Sequence, residues 1–591
     1  MADAIRIANC SGYFGDRADA AVEMVTGGSI NVLTGDWLAE LTMLILHRIR
    51  AKRPGQGYAR TFVSQMEQVM GRCLDDDIRV VTNAGGLDPQ ACAEAVAEVA
   101  GRLGLAPTIA YVSGDDVTDR LDHLQPFTGR TLDIGEHVLT ANAYLGCWGI
   151  VDALERGADI VITGRVTDAA VVCGPAAWHH GWKRTDFDQL AGAVAAGHII
   201  ECSGQATGGN YSFFTEIPDW DAGRARFGYP WAEIAADGSS LIGKHADTGG
   251  LVSVETVTSQ LLYEIGSPRY LGPDVTARFD TVKLEQVEPD RVRVSGVLGE
   301  TPPETLKVAT NKLGGFRNSV TVGLVGLDIE EKAALCEAVF WDAYPHDADD
   351  LDDVSIELSR TDQRDPESND AATARWTITV KSSDEELVGR AFSNAVTQTA
   401  LASIPGMHLL SGPPSGARPF GVYVPAQIQR DLVPAHVGVL GAETVVVDST
   451  LPASGPVTSD GEERVGAAEV LVAAVGNEES HERVPLGRIV GARSGDKGGD
   501  ANLGVFVRSQ RAWAWLDGFL TTERLQELLP EAAEFPIERY RFDNVWALNF
   551  VIVGLLGDGV AASTRPDAQA KSLGEWLRAR VVPVPPELLN D

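Results

Sequence analysis

Short apolar runs alternate with helix-period segments through the first third of the chain. "IRIANCSG", "INVLTGD", "DDIRVVTNAGGLDP", "TIAYVSGDD" and "DIVITGRVTD" each place a mostly apolar strand before a small polar turn. The intervening "DRADAAVEMVTGG", "WLAELTMLILHRIRA", "QACAEAVAEVAGRLG" and "ANAYLGCWGIVDALERG" carry helical periodicity. Pro89 suits the first turn of its helix, and Gly104 closes it. The strands are apolar throughout rather than alternating. That pattern predicts an α/β core, a mainly parallel sheet with helices on both faces, over 1–270. Within it, "GHIIECSGQATGGNYSFF" (197–214) reads as a strand followed by a glycine-rich loop, and 245–266 as a Gly-Gly turn entering a helix.

Beyond residue 270 the period changes. "TVKLEQVEPDRVRVSGVLG" alternates as a hairpin turning at Pro289-Asp290, "IEEKAALCEAVFWDAY" is an amphipathic helix, and "VSIELSR" and "RWTITVKSS" are further strands. These predict an α+β second lobe over 271–448. Residues 449–486 are rich in Pro, Ser, Gly and Glu and predict a linker. The remaining 487–591 follow a β-β-α-β-β-α order, a small C-terminal α+β domain.

At 591 residues the chain needs more than one core. Its net charge of −34 disfavours nucleic acid and anionic membrane surfaces as partners. No run approaches the roughly 18 apolar residues of a membrane span. The N-terminus lacks a basic segment followed by an apolar one, so no secretory signal is expected. Cys10, Cys73, Cys92, Cys147, Cys173, Cys202 and Cys336 are scattered without a CxxC pair, which fits reduced thiols and a cytoplasmic location. No metal site is expected: HExxH is absent, His179 and His180 are adjacent, and no carboxylate cluster stands at ligand spacing. GxGxxG after the first strand, GxxxxGK[ST] and GxSxG are all missing, so no nucleotide cofactor or hydrolase elbow is identified.

Candidate chemistry concentrates in the turns. In open α/β sheets, ligands bind beyond the carboxyl ends of the strands. Four such turns are small and polar: 10–16 with Gly12 and Asp16, 82–89 with Asn83, Gly85 and Gly86, 112–116, and 163–168 with Thr163, Arg165 and Asp168. Arg165 is a planar donor for a carboxylate or phosphate, and Asp168 can orient it or move a proton. The competing reading makes Thr167 or Asp168 a helix N-cap. Glu201 follows His198, itself expected to be a buried, satisfied histidine, and Gln205, Gly208 and Gly209 sit in the loop after it. In the C-terminal domain, "ARSGDKGGDANLG" carries Arg493, Ser494, Asp496, Lys497 and Asn502. Residues 483–511 hold a local charge of +4, expected either to face an anionic ligand or to form a solvated loop.

"ANCSGYFGDR", "VVTNAGGLDPQACA", "GADIVITGRVTDAAVVCGP", "GHIIECSGQATGGN" and "DTGGLVSVETVTSQLLYEIGSP" together resemble the acyclic terpene utilisation protein family, AtuA. "GARSGDKGGDANLGVFVR" resembles the small ferredoxin-like domain that follows this core in longer members. The resemblance implies a role in the breakdown of geraniol- and citronellol-type terpenes and branched acids, beside acyl-CoA carboxylase, dehydrogenase and hydratase steps. It carries over no catalytic residues.

The expected activity is lyase or hydratase chemistry on a branched or carboxylated acyl-CoA, with the CoA moiety entering as part of the substrate. Arg165, Asp168 and Glu201 are the expected catalytic groups, the glycine turns receive the acyl portion, and Arg493 and Lys497 meet the CoA phosphates. Two alternatives stay open: a non-catalytic acyl-CoA-binding or scaffolding subunit, and a thioester or ring hydrolase. A homo-oligomer is expected, and association with an acyl-CoA carboxylase is a further partner expectation.

Overall fold

The computed structural model describes residues 4–127, 131–218, 220–221, 226–401, 404–410, 416–451 and 481–589. The linker expected over 449–486 therefore lies mostly outside the described residues.

Five strands, each buried along most or all of its length, form the centre of the largest sheet. Their spatial order is Ile5–Asn9, Val32–Gly35, Arg79–Thr82, Ile160–Thr163, Ile109–Ser113, and every pairing among them is parallel. Alternate residues serve opposite faces. Ile5, Ile7, Val81 and Val161 pack with the helices Trp148–Glu155, Ala170–His180 and Phe187–Ile200. Ala8, Val80, Ile160 and Ile162 pack with Glu40–Lys52, Arg60–Asp75 and Pro89–Leu103. Helices thus cover both faces, as the apolar strands imply.

The sheet is nevertheless mixed, not mainly parallel. Pro230–Ile234, Ser240–Lys244, Arg291–Ser295 and Lys283–Glu288 extend one edge, and Ala435–Val439 and Val445–Val447 extend the other, all antiparallel. Three of these pairings, 230–234 with 240–244, 283–288 with 291–295 and 435–439 with 445–447, join strands linked by short connections, which can only pair antiparallel. Arg291–Ser295 buries alternate residues, as a half-covered edge does.

A second sheet is built around the long strand Thr305–Val325. It pairs with Arg418–Gln429, Thr373–Ser382 and Val138–Ala143. Asp353–Ser359 and the helices Ile329–Ala343 and Phe392–Thr399 complete a cluster around Phe340. The C-terminal sheet is antiparallel, in the order Gly491–Lys497, Asp500–Phe506, Ala547–Ile552, Ile537–Phe542.

Three local expectations change. Residues 197–200 end the helix Phe187–Ile200 and are not a strand. Every residue from Leu190 to Ile200 is buried, and an apolar run buried all round shows no period that separates helix from strand. Residues 141–143 belong to a strand rather than the start of a helix. The stretch 492–504 is not a solvated loop: Ala492 to Gly495 and Asp500 to Gly504 are buried in paired strands, leaving only the turn between them accessible.

The C-terminal domain docks on the core through two buried asparagines. Asn502 accepts from the Glu264 amide at 2.7 Å, and Asn549 donates to the carbonyls of Ile265 and Gly266 at 3.2 and 2.7 Å. The two side chains also bond to each other. Removing Asn549 strands several buried polar groups, each costing about 1–3 kcal/mol. Asn549→Ala is expected to lower the melting temperature and to accelerate proteolytic release of the C-terminal domain; unchanged melting and digestion would refute this docking role.

Candidate active site

Parallel pairing sends the carboxyl ends of all five central strands to one edge. Asp36, Asn83, Asp115 and the 163–168 turn follow those ends directly. The end of the helix Phe187–Ile200 is pinned beside them by Asn9, whose Nδ2 donates to the carbonyls of Ile200 and Glu201 at 2.9 and 2.8 Å. Close approach explains two of the glycines. A Cβ at Gly12 would lie 2.8 Å from the Cys202 carbonyl carbon, and one at Gly85 would lie 2.5 Å from the Thr163 oxygen.

Asp36, Asp168 and Glu201 meet here, with one carboxylate oxygen of each within 4.8 Å of the others. Those three oxygens are close enough to share one small cation. Arg165 lies against them, 2% exposed, bonding Asp168 Oδ1 and the Leu38 carbonyl through Nη1 at 2.9 and 2.8 Å. Its guanidinium stacks 4.1 Å above the Tyr144 ring. Behind it, Asp115 accepts from the Arg165 amide at 3.0 Å and from Asn142 at 2.8 Å. Asn83 donates to Asp36 at 2.5 Å and receives the Trp37 amide at 2.7 Å. The helix Ala170–His180 has no side-chain cap, so Asp168 serves the arginine and not the helix end.

The three acids cannot all be charged at ordinary cost. At an effective dielectric of about 20, two carboxylates 4.8 Å apart repel by about 3.5 kcal/mol. Burial raises Asp36, Asp168 and Glu201 above the usual carboxylate range. Asp168 adds to the rise at Asp36 and Glu201, while Arg165 opposes it at all three. His198 is held down at about 4 by burial, so it is neutral at pH 7. Its Nε2 faces the Leu261 carbonyl at 3.3 Å, which leaves Nδ1 as the acceptor, 3.4 Å from Glu201 Oε1. Nδ1 and Glu201 Oε2 make no hydrogen bond.

A second layer of charge continues outward. Tyr144 donates to Glu40 at 3.0 Å, and Lys307 lies 3.4 Å from the same carboxylate oxygen. Burial alone would raise Glu40, but Lys307 and Arg165 outweigh it and bring it to about 2. Glu40, Asp168, Glu264, Lys307 and Lys571 each keep 28–36% of their side-chain surface. Glu40 pairs with Lys307 at 3.4 Å and Glu264 with Lys571 at 3.2 Å, which makes a partly exposed polar face at the sheet edge, here called the recess. The C-terminal domain contributes to the same recess. Lys497 is solvent-accessible yet deeply surrounded; the enclosing protein and then the Lys307 charge lower it to about 8.

The remaining expected residues divide by position. Lys497 donates to the Glu264 carbonyl at 3.1 Å, and Asp496 sits 3.3 Å from Lys571. Arg493 is 4% exposed, bonded to Gln205 and stacked 4.0 Å over Tyr263, so its guanidinium has no free face for a phosphate. Ser494 accepts from the Gly574 amide at 3.0 Å, inside its own domain. Asp16 closes its own turn by accepting from Gly12 and Arg17 at 2.8 and 2.7 Å. Thr163 donates to the Gly164 carbonyl at 2.9 Å, and Gly86 turns against Leu46. Gly208 and Gly209 pack against Ile217 and Gly204, within their own turn.

Sequence reading missed Asp36, Glu40, Tyr144 and Lys307. Asp36 carried a usable signal, since it follows an apolar strand in the same Gly-Asp style as the other turns. Tyr144 and Lys307 carried none, because only the packing of the long strand Thr305–Val325 against Val138–Ala143 brings them to the edge.

Glu201 and Asp36 keep protons in the folded chain that the unfolded chain releases in the ordinary carboxylate range. Folded protein thus binds more protons above that range, and stability falls as pH rises through it. Glu201→Gln is expected to gain melting temperature relative to wild type from pH 5 to pH 8; parallel curves would refute the raised pKa.

A sequence model of the acyclic terpene utilisation family protein AtuA matches residues 5–439, and one of the AtuA ferredoxin-like domain matches residues 484–583. No curated protein was found to match the chain. The first match spans well over half of the chain and includes every element that builds the recess, and the second covers the domain that brings Lys497 to it; the chain belongs to the AtuA family of acyclic terpene utilisation and carries the family's ferredoxin-like domain at its C-terminal end.

Proposed function

We propose that this protein is a catabolic enzyme of acyclic terpene or branched-chain acid degradation, adding or removing a small molecule across a bond of a branched acyl-CoA or carboxylated acyl-CoA. The observation that carries the reading is the buried Asp36–Asp168–Glu201 set against Arg165. Lyases and hydratases on thioesters need two things at one place: a cation for the oxygen that gains charge, and a carboxyl group that exchanges a proton near neutral pH. Arg165, Lys307 and Lys497 supply positive charge along the recess. Asp168 reaches solvent and touches Arg165, so it is the proton carrier best placed for substrate; Glu201 behind it holds a proton in reserve. The glycines at Gly12 and Gly85 let the turns carrying these groups pack closely, Gly12 on Cys202 and Gly85 on Thr163. The family's role in acyclic terpene utilisation supports a branched substrate.

Full-length protein incubated with branched acyl-CoAs and their carboxylated derivatives should yield products changed by one water or by carbon–carbon cleavage, read by mass spectrometry. Asp168→Asn should slow turnover by about 100-fold or more while keeping the wild-type circular dichroism. Arg165→Lys should be similarly impaired, because a point charge does not replace a stacked planar donor. Release of free CoA alone would replace this reading with a thioester hydrolase. Saturable binding with no turnover across the panel would replace it with a binding subunit.

A further inference from the structure

A second concave site lies behind the first. The consecutive residues Tyr144 and Leu145 part company: Tyr144 stacks under Arg165, whereas Leu145 lines a small cleft that opens to solvent. Lys307 and Leu306 divide the same way, as neighbours on a strand do. The cleft wall is mainly apolar, with Leu145, Trp148, Leu306 and Val433 among its side chains, and two guanidiniums, Arg184 and Arg430, enter it. An apolar wall with a few placed polar groups is the usual composition of a small-molecule site.

The two arginines are oriented by backbone carbonyls and not by direct ion pairs. Arg430 is 8% exposed and gives its bonds to backbone carbonyls, Pro273 at 2.9 Å and Ser449 at 3.4 Å. Its Nε is buried with no partner. Arg184 donates to the Asp448 carbonyl at 2.7 Å and lies 4.9 Å over the Trp148 ring. Among the described residues, neither has a carboxylate at ion-pair distance. The two acids in the wall accept their hydrogen bonds from other groups, and their charges reach the arginines only from beyond ion-pair distance. Asp274 accepts the Cys147 amide at 2.9 Å, and Asp448 accepts from the Thr450 amide and hydroxyl at 2.9 and 2.7 Å. Burial lowers the Arg430 pKa; Asp274 opposes the shift and the like charge of Arg184 adds to it. A buried, unpaired cation is costly to keep unless something anionic visits it.

We infer that this cleft binds a small aliphatic carboxylic acid, its carboxylate received by Arg184 and Arg430 and its apolar body by the Leu145–Trp148–Leu306 wall. The inference stands without the reaction assigned above, because none of these residues lines the catalytic recess.

The probe is 3-methylbutanoate, titrated into the full-length protein by calorimetry, with Trp148 fluorescence as a second readout. Saturable binding is expected, weakened at least tenfold by Arg430→Gln and by Arg184→Gln and unchanged by Asp168→Asn. Trp148→Phe should remove the fluorescence change but not the heat. 3-Methylbutanamide, of the same shape without charge, should bind at least tenfold more weakly, and inorganic phosphate should compete poorly. If Arg430→Gln does not fold, the half-exposed Arg184 carries the test alone. The proposal fails if the acid does not bind saturably, if the foldable arginine variants bind it as wild type does, or if amide or phosphate matches it.

Discussion

A guanidinium at 2% exposure dictates most of what surrounds it. Removing such a charge from water costs several kcal/mol after relaxation, and the cost is met only by good geometry on every side. Arg165 finds a carboxylate, a backbone carbonyl and an aromatic face. The carboxylate it needs is crowded by two more, Asp36 and Glu201, and the crowd exceeds what one cation can neutralise. Protons complete the balance. A structure that buries this arginine is thereby committed to carboxyl groups that titrate above their usual range.

Delivering these residues takes most of the chain. Asp36 and Asn83 arrive on strand ends, Arg165 and Asp168 on a third, and Glu201 on a helix end tied to the first strand by Asn9. Tyr144 and Lys307 come from the second sheet, so the long strand Thr305–Val325 is part of the site and not a separate lobe. The ferredoxin-like domain grips the 264–266 segment through Asn502, Asn549, Lys497 and Lys571. Its position sets where Lys497 stands relative to Lys307, and thus how much positive charge the recess carries.

The parallel strands, their covering helices and the chemical turns at 82–89 and 163–168 were legible because each is a local signal: an apolar run, a helical period, a glycine beside a polar group. The edge hairpin at 283–295 was legible as well, although its membership in the main sheet was not. Glu201 could be singled out while its element was misread, since residues 187–200 are apolar on every side and carry no period. What stayed hidden was everything set by sequence separation. Lys307 lies more than a hundred residues from Arg165, in a segment whose pattern says only "strand". The basic stretch near 493 shows the converse error: a charged sequence looks exposed, yet Arg493 is folded inward onto Tyr263 and Gln205.

The site concentrates cations in a molecule that is acidic overall. The chain carries −34 overall, whereas Arg165, Lys307 and Lys497 line the recess. At physiological ionic strength the field of distant surface acids fades over about 8 Å, but a recess walled by protein is screened far less. An anionic molecule is thus turned away from most of the surface and held only where the enclosed cations outweigh their neighbours. The same contrast explains why the buried acids tolerate their own repulsion. Protons on Asp36 and Glu201 relieve it, which leaves Asp168 to face Arg165 and Glu40 to face Lys307.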